Sequence, residues 1–144
     1  MIDKKLKLPP QIVGNAGLFF VCHRLSQLGW NAMPTSRNAR WVDVMCFSLD
    51  GKRTLLLQVK SLSRRKPPVP LGRDVENFMG DFWVIVTEAT AERPTCYILT
   101  PKQVKAMAHN GEKDRRISYW LPHSDMPLRS FAKSGIELGR DAEQ

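Results

Sequence analysis

An α/β domain built round a mixed sheet is what this sequence predicts, and three patterns carry that expectation. Residues 11–28 place their apolar side chains at helical spacing. Two apolar runs, 41–47 and 54–60, flank an Asp50-Gly51 turn. Two further buried-looking runs, 82–87 and 95–99, lead into a helix start at Thr100-Pro101.

The elements follow in order. Residues 1–10 read as a basic arm carrying Lys4, Lys5 and Lys7 and ended by Pro9-Pro10. Residues 11–134 read as one domain, and 135–144 as a polar tail. In the helix expected over Gln11–Leu28, Leu18, Val21, Cys22, Leu25 and Leu28 form one apolar stripe, and Gly29 stops it. Gly14 and Gly17 in its first turns read either as poor helix formers or as a close approach to a neighbouring backbone. Trp30–Met33 is a short strand candidate broken by Pro34, and 35–40 is a polar, basic loop. Ser63–Gly72 is a connection rich in Arg, Lys and Pro, and Arg73–Met79 is expected to make one or two helical turns. The helix opened by Thr100-Pro101 is expected to run to about His109 and to end at Asn110-Gly111. Tyr119–Leu121 is a last short strand.

The turn allows a register to be computed. With Asp50 and Gly51 as the two loop residues, Leu49 pairs with Lys52, Asp43 faces Gln58, and Trp41 faces Lys60. Side chains alternate along a strand, so these four share one face. The opposite face carries Val42, Val44, Cys46, Leu55, Leu57 and Val59 and is wholly apolar, so it should pack on the helix. A slip of one residue would exchange the two faces.

Composition bounds the function. The chain has 144 residues, enough for one sizeable core. Lys and Arg number 22 against 14 acids, a net charge of +8 that favours a polyanionic partner, nucleic acid above all. Cys22, Cys46 and Cys96 are widely spaced, each in an apolar segment, which argues against a zinc site or a disulfide framework. No signal peptide and no span long enough to cross a bilayer is present, so a cytoplasmic protein that meets no membrane is expected.

Asp43, Gln58 and Lys60 interrupt otherwise apolar strands. Charged or polar groups in such places need partners or a function. A solvated hairpin face is the alternative, and Met45, Phe47 and Leu56 on the same face argue against full exposure.

The string Val42-Asp43, a hairpin, then Gln58-Val59-Lys60 resembles the D…(D/E/Q)xK signature of the PD-(D/E)xK, or restriction-endonuclease-like, nucleases. Tyr97-Ile98-Leu99-Thr100-Pro101 entering a helix is similar to small Holliday-junction-resolvase-like and uncharacterised members of that superfamily. The resemblance covers roughly residues 11–109. It implies an α/β restriction-endonuclease-like core, a mixed central sheet flanked by helices in αβββαβ order. It also implies a metal-dependent endonuclease, a phosphodiester hydrolase acting on DNA or RNA. Asp43, Gln58 and the backbone carbonyl of Val59 would hold Mg²⁺ or Mn²⁺, and Lys60 would orient the attacking water or stabilise the phosphate. Such a role would use nucleic acid, DNA before RNA, as partner, and a homodimer where paired cuts are made.

The sequence departs from the family pattern at three places. Leu18 stands where the early helix often has glutamate, Gln58 replaces an acid, and Val42 stands where the signature has proline. Two alternatives therefore stay open: a catalytically inactive nucleic-acid-binding domain of the same fold, and a partner-binding protein of a mobile element or defence system. Arg37, Arg40, Arg64, Arg65 and Lys66 flank the candidate site and are the expected phosphate clamp, against the plainer reading of a solvated loop. Glu76, Asp81 and Glu88 could approach the site, but spacing alone does not place them there. His23, His109 and His123 form no ligand cluster, and Trp41 and Trp83 read as core.

Overall fold

A computed structural model describes residues 7–36, 42–66 and 68–122. The elements run α1 (Pro10–Gln27), β1 (Asn31–Pro34), β2 (Val44–Phe47), β3 (Thr54–Ser61), β4 (Val69–Gly72), β5 (Phe82–Thr87), β6 (Thr95–Leu99), α2 (Pro101–Met107), β7 (His109–Lys113) and β8 (Arg116–Leu121). A five-stranded sheet has the order β1-β2-β3-β5-β6, and a three-stranded sheet the order β4-β8-β7. Among the described strands only the β3–β5 pairing is parallel. The expected class therefore holds: an α/β chain with a mixed central sheet and helices.

α1 starts one residue before the expected boundary because Pro10 fits the first helical position, where its missing N–H is no loss. The Pro9 carbonyl accepts the N–H groups of Ile12 and Val13. Gly29, at φ 90°, ends the helix. Val13, Gly17, Val21 and Leu25 form its buried stripe, with Leu18, Cys22 and Leu28 packed beside it. This stripe lies on Val44, Cys46 and Leu57, and on Leu55 and Val59, the apolar hairpin face that alternation predicts. Gly17 makes the close approach: a Cβ there would lie 1.9 Å from Ser61 Oγ and 2.7 Å from Ser61 Cβ. Gly14 makes none, with nothing within 4 Å of the same position.

The hairpin register is the computed one, with Val44 opposite Leu57 and Phe47 opposite Thr54. The connection is longer than two residues. Ser48 N–H donates to the Arg53 carbonyl at 2.9 Å and closes a four-residue loop, Leu49 to Lys52. Asp50 braces that loop by accepting from Ser48 Oγ and the Lys52 N–H. A two-residue and a four-residue loop centred on the same point give the same pairing.

Three expectations need correction. Arg73–Met79 forms no helical turn. The Asp74 carboxylate accepts the Glu76 N–H at 2.9 Å and the Asn77 side-chain amide at 2.8 Å, a local arrangement that competes with helix. The connection from β3 to β5 instead contributes β4 to the small sheet, and α2 follows β6 rather than preceding β5. α2 opens as expected on a Thr100–Gln103 capping box but stops at Met107, because Ala108 is extended. His109–Gly111, read as the end of that helix, instead lie in β7 (His109–Lys113). β7 and β8 join through Asp114 and Arg115 at φ 52° and 64°, the left-handed pair that a two-residue hairpin requires.

The second face of β5 and β6 is covered by the small sheet and α2. Trp83, Ile85 and Leu99 pack there with Val69, Leu71, Val104 and Leu121. β5 is thus buried on both sides, as a strand in the middle of a sheet should be. The same face of β2 and β3, beside this second core, holds the polar residues.

Candidate functional site

Asp43 lies at the point where β2 leaves the ladder. Its N–H donates to the Leu57 carbonyl at 2.8 Å, one residue short of its register partner Gln58. Its side chain continues the pairing, because Val59 N–H donates to Asp43 Oδ2 at 2.8 Å. Thr35 holds the segment from the other side: its N–H donates to the Asp43 carbonyl at 2.9 Å and its hydroxyl to the Val42 carbonyl. Val42 is buried and Asp43 half-buried.

Gln58 is 8% exposed, and its Oε1 has no hydrogen-bond partner among the described residues. A buried acceptor left unmet costs about 1–3 kcal/mol. Gln58 stands opposite Trp83 in the parallel β3–β5 register, and the Trp83 indole N–H, on a fully buried side chain, is also without a partner among those residues. Lys60, two residues on, presents its ammonium to Trp83, 5.8 Å from the ring centroid. Phe78 packs against the same indole, ring centroids 4.5 Å apart. Trp83 is core, as its apolar setting in the sequence implies, and it is also the floor beneath Lys60.

Even-numbered backbone groups of β3 turn towards β5: Leu56 bonds Asp81, and Leu62 bonds Val86. Odd-numbered ones turn towards β2, as Leu57 and the Val59 N–H do. N–H and C=O of one strand residue point the same way, so the Val59 carbonyl lies on the Asp43 side.

Gln58 and Lys60 therefore share one sheet face, and Asp43 reaches the same strand through the Val59 N–H. Leu18 packs against the first core and offers no ligand atom. Asp81 is occupied with structure. Its carboxylate accepts Leu56 N–H at 2.8 Å, and its N–H donates to the Leu56 carbonyl at 2.7 Å. Glu76 pairs with Lys105 on the surface. Glu88 turns at φ 51° and bonds the Arg64 carbonyl at 3.3 Å. Arg64, Arg65 and Lys66 are exposed and leave from the strand end that carries Lys60. Arg37, Arg40, Trp41 and His123 lie outside the described residues. Among the described residues no group of three or more His, Cys, Asp or Glu side chains could hold a metal ion.

Sequence patterns alone passed over Thr35 and the placing of Trp83 beside Gln58. A hydroxyl seven residues before Val42 gives no local signal. The Trp83 contact depends on a strand pairing across 25 residues.

No protein-family model and no curated protein matches the sequence. Among solved structures, the chain is similar to Hjc of Archaeoglobus fulgidus, a Holliday junction resolvase from an archaeal hyperthermophile. The TM-score is 0.56 at 17% identity, over 86% of this chain and 96% of that one. A bacterial homing endonuclease overlaps 74% of this chain and 80% of its own, with TM-score 0.49 and 17% identity. At such identity the likeness to Hjc is one of fold.

Proposed function

We propose that this chain is a metal-dependent endonuclease of the PD-(D/E)xK type, with Asp43, Gln58 and Lys60 as its working side chains. One observation carries the reading: Gln58 Oε1 is a buried acceptor with no partner among the described residues, next in sequence to the Val59 N–H that holds the Asp43 carboxylate and on the same face as a lysine. The donor set suits Mg²⁺ or Mn²⁺, since a carboxylate, an amide oxygen and the Val59 carbonyl are all hard oxygen ligands. When bound, the ion would supply charge neutralisation at phosphate and lower the pKa of a coordinated water.

The chain's own residues do the rest. The Val59 N–H fixes the Asp43 carboxylate, and β3 sets Gln58 and Lys60 two residues apart so that both face the substrate. Lys60, steadied over Trp83, places a positive charge where the phosphate gains negative charge. Arg64, Arg65 and Lys66, with Arg37 and Arg40, hold the nucleic-acid backbone without reading bases. DNA is the expected substrate, and a four-way junction its narrower form; paired cuts there would use two copies of the chain. Residues 11–134 would form the working domain, and the three free thiols suit a reducing compartment such as the cytoplasm.

Incubation of the purified protein with plasmid, linear duplex and four-way junction, in Mg²⁺ or Mn²⁺ with EDTA controls, tests this. Cleavage that EDTA abolishes supports it. A second reading, a binding domain that does not cut, is favoured by one fact: among the described residues no group of three or more His, Cys, Asp or Glu side chains could hold a metal ion, and Leu18 is packed away. Binding without cleavage in either metal would select that second reading.

A further inference from the structure

The outer face of the small sheet carries a second basic surface, remote in sequence from the hairpin. Strand alternation puts His109, Gly111 and Lys113 of β7 on one side with Arg116, Ser118 and Trp120 of β8. Glu112 and Ile117 fall on the other side. The side with the cations therefore has no carboxylate along its strands. Arg73, after β4, joins it: Arg73, Lys113, Asp114, Arg116, Ile117 and Ser118 line one shallow depression, three cations against one carboxylate. All these cations are exposed, and among the described residues none of Arg73, Lys113, Arg115 and Arg116 is in an ion pair.

The surface is braced. Trp120 lies across Gly111, where a Cβ would come within 3.1 Å of the indole ring. His109 flanks the same ring, centroids 6.4 Å apart. The hairpin turn is held by two non-glycine residues in the left-handed region, Asp114 and Arg115. A cation-bearing strand pair with a single exposed large hydrophobic, Ile117 at 49%, matches a polyanion better than an apolar peptide.

We propose that this face is a second phosphate-backbone contact, gripping nucleic acid through Arg73, Lys113 and Arg116 in addition to the hairpin site. The proposal rests on the nucleic-acid reading above. It adds a separate surface, so each can fail alone.

The test is a fluorescence-anisotropy titration of labelled DNA duplex over a salt series. It compares wild type, an Arg73→Ala/Lys113→Ala/Arg116→Ala variant, and a milder Lys113→Gln/Arg116→Gln variant with melting as a fold control. Each cation that no longer neutralises a phosphate should lower the slope of log affinity against log salt by about 0.9. The triple variant should thus flatten that slope by roughly 2–3 and weaken binding at low salt at least tenfold, evenly across sequences. The double variant should show about two-thirds of that change. Folded variants with wild-type affinity and slope, while wild type binds, overturn this surface and leave the hairpin reading standing. Loss of binding to an acidic peptide with DNA binding intact overturns it in favour of a protein partner. Wild type that binds no duplex at any salt overturns the nucleic-acid reading itself, and this surface with it.

Discussion

Asp43 Oδ2 accepts the backbone N–H of Val59 at 2.8 Å, in the place where β2 has stopped supplying backbone acceptors. The carboxylate thus has a structural task before any metal is considered. The task and the proposed role call for different atoms: the strand needs an acceptor, and a cation needs a charge. Asp43→Asn keeps an acceptor oxygen and removes the charge. It should melt close to wild type while losing Mg²⁺ binding and cleavage. Asp43→Ala should lose both and be destabilised by about 1–3 kcal/mol, the usual cost of an unmet buried donor. Calorimetry with Mg²⁺ alongside thermal melting separates these outcomes. An Asn variant that still binds the ion would remove Asp43 from the ligand set.

Gln58→Glu adds an anionic oxygen at a position 8% exposed. Without metal it should be less stable than wild type, because a buried unpaired carboxylate is costly. Mg²⁺ at 100 times the variant's dissociation constant should stabilise the variant by about 2.7 kcal/mol, and the same concentration should stabilise wild type by less. Melting curves in EDTA and in Mg²⁺ check this. Equal metal responses in the two proteins would mean that no cation is held there.

Lys60→Met keeps the aliphatic stem over Trp83 and removes the ammonium. The cation–π contact is worth about 0.5–1 kcal/mol at a partly exposed site, so the fold should lose no more than that. Cleavage should fall by about 10²–10³, the scale of one transition-state electrostatic contact. A variant that cuts as wild type would make Lys60 a packing residue.

Two glycines of α1 should respond in opposite directions. Gly17→Ala drives a Cβ into Ser61, and the Ser61 Cβ cannot swing aside, so strand or helix must shift. Overpacking of about 1–3 kcal/mol outweighs a propensity gain of about 1 kcal/mol. Gly14→Ala meets nothing within 4 Å and should be stabilising by up to about 1 kcal/mol. Denaturant unfolding of both variants checks the signs.

The buried thiols predict an alkaline limit. Burial pushes Cys46 and Cys96 from 9.0 up to about 12. Nearby Cys22 adds to the shift at Cys46, while Arg24 opposes it at Cys96. The folded state therefore holds these protons more tightly than the unfolded chain. Their contribution is intact below about pH 9 and is lost as pH rises towards 12. Stability measured across that window should fall, and both thiols should resist thiol reagents in the native protein at pH 8 while reacting once it is unfolded.

Much of the site was legible because the hairpin is local. Alternating polarity in 42–47 and 54–60, centred on Asp50-Gly51, allows one register that buries the apolar set. That register survives even though the loop has four residues. The capping box at Thr100 and the runs at 82–87 and 95–99 were readable for the same reason, since each signal lies within a few residues. β4 and β7 were not. Val69–Gly72 and His109–Lys113 are short, carry proline or glycine, and become strands only by pairing with β8.

What the sequence by itself determined is the helix stripe, the hairpin register and the sharing of one face by Gln58 and Lys60. All of these follow from backbone periodicity over short distances. Only the tertiary structure decided that β5 would lie parallel against β3. That pairing sets Trp83 beside Gln58 and beneath Lys60, and it leaves a buried amide oxygen without a partner among the described residues. The physical reason is that a crossover joins residues 25 apart through non-local burial and hydrogen bonding, which no local pattern of side chains encodes.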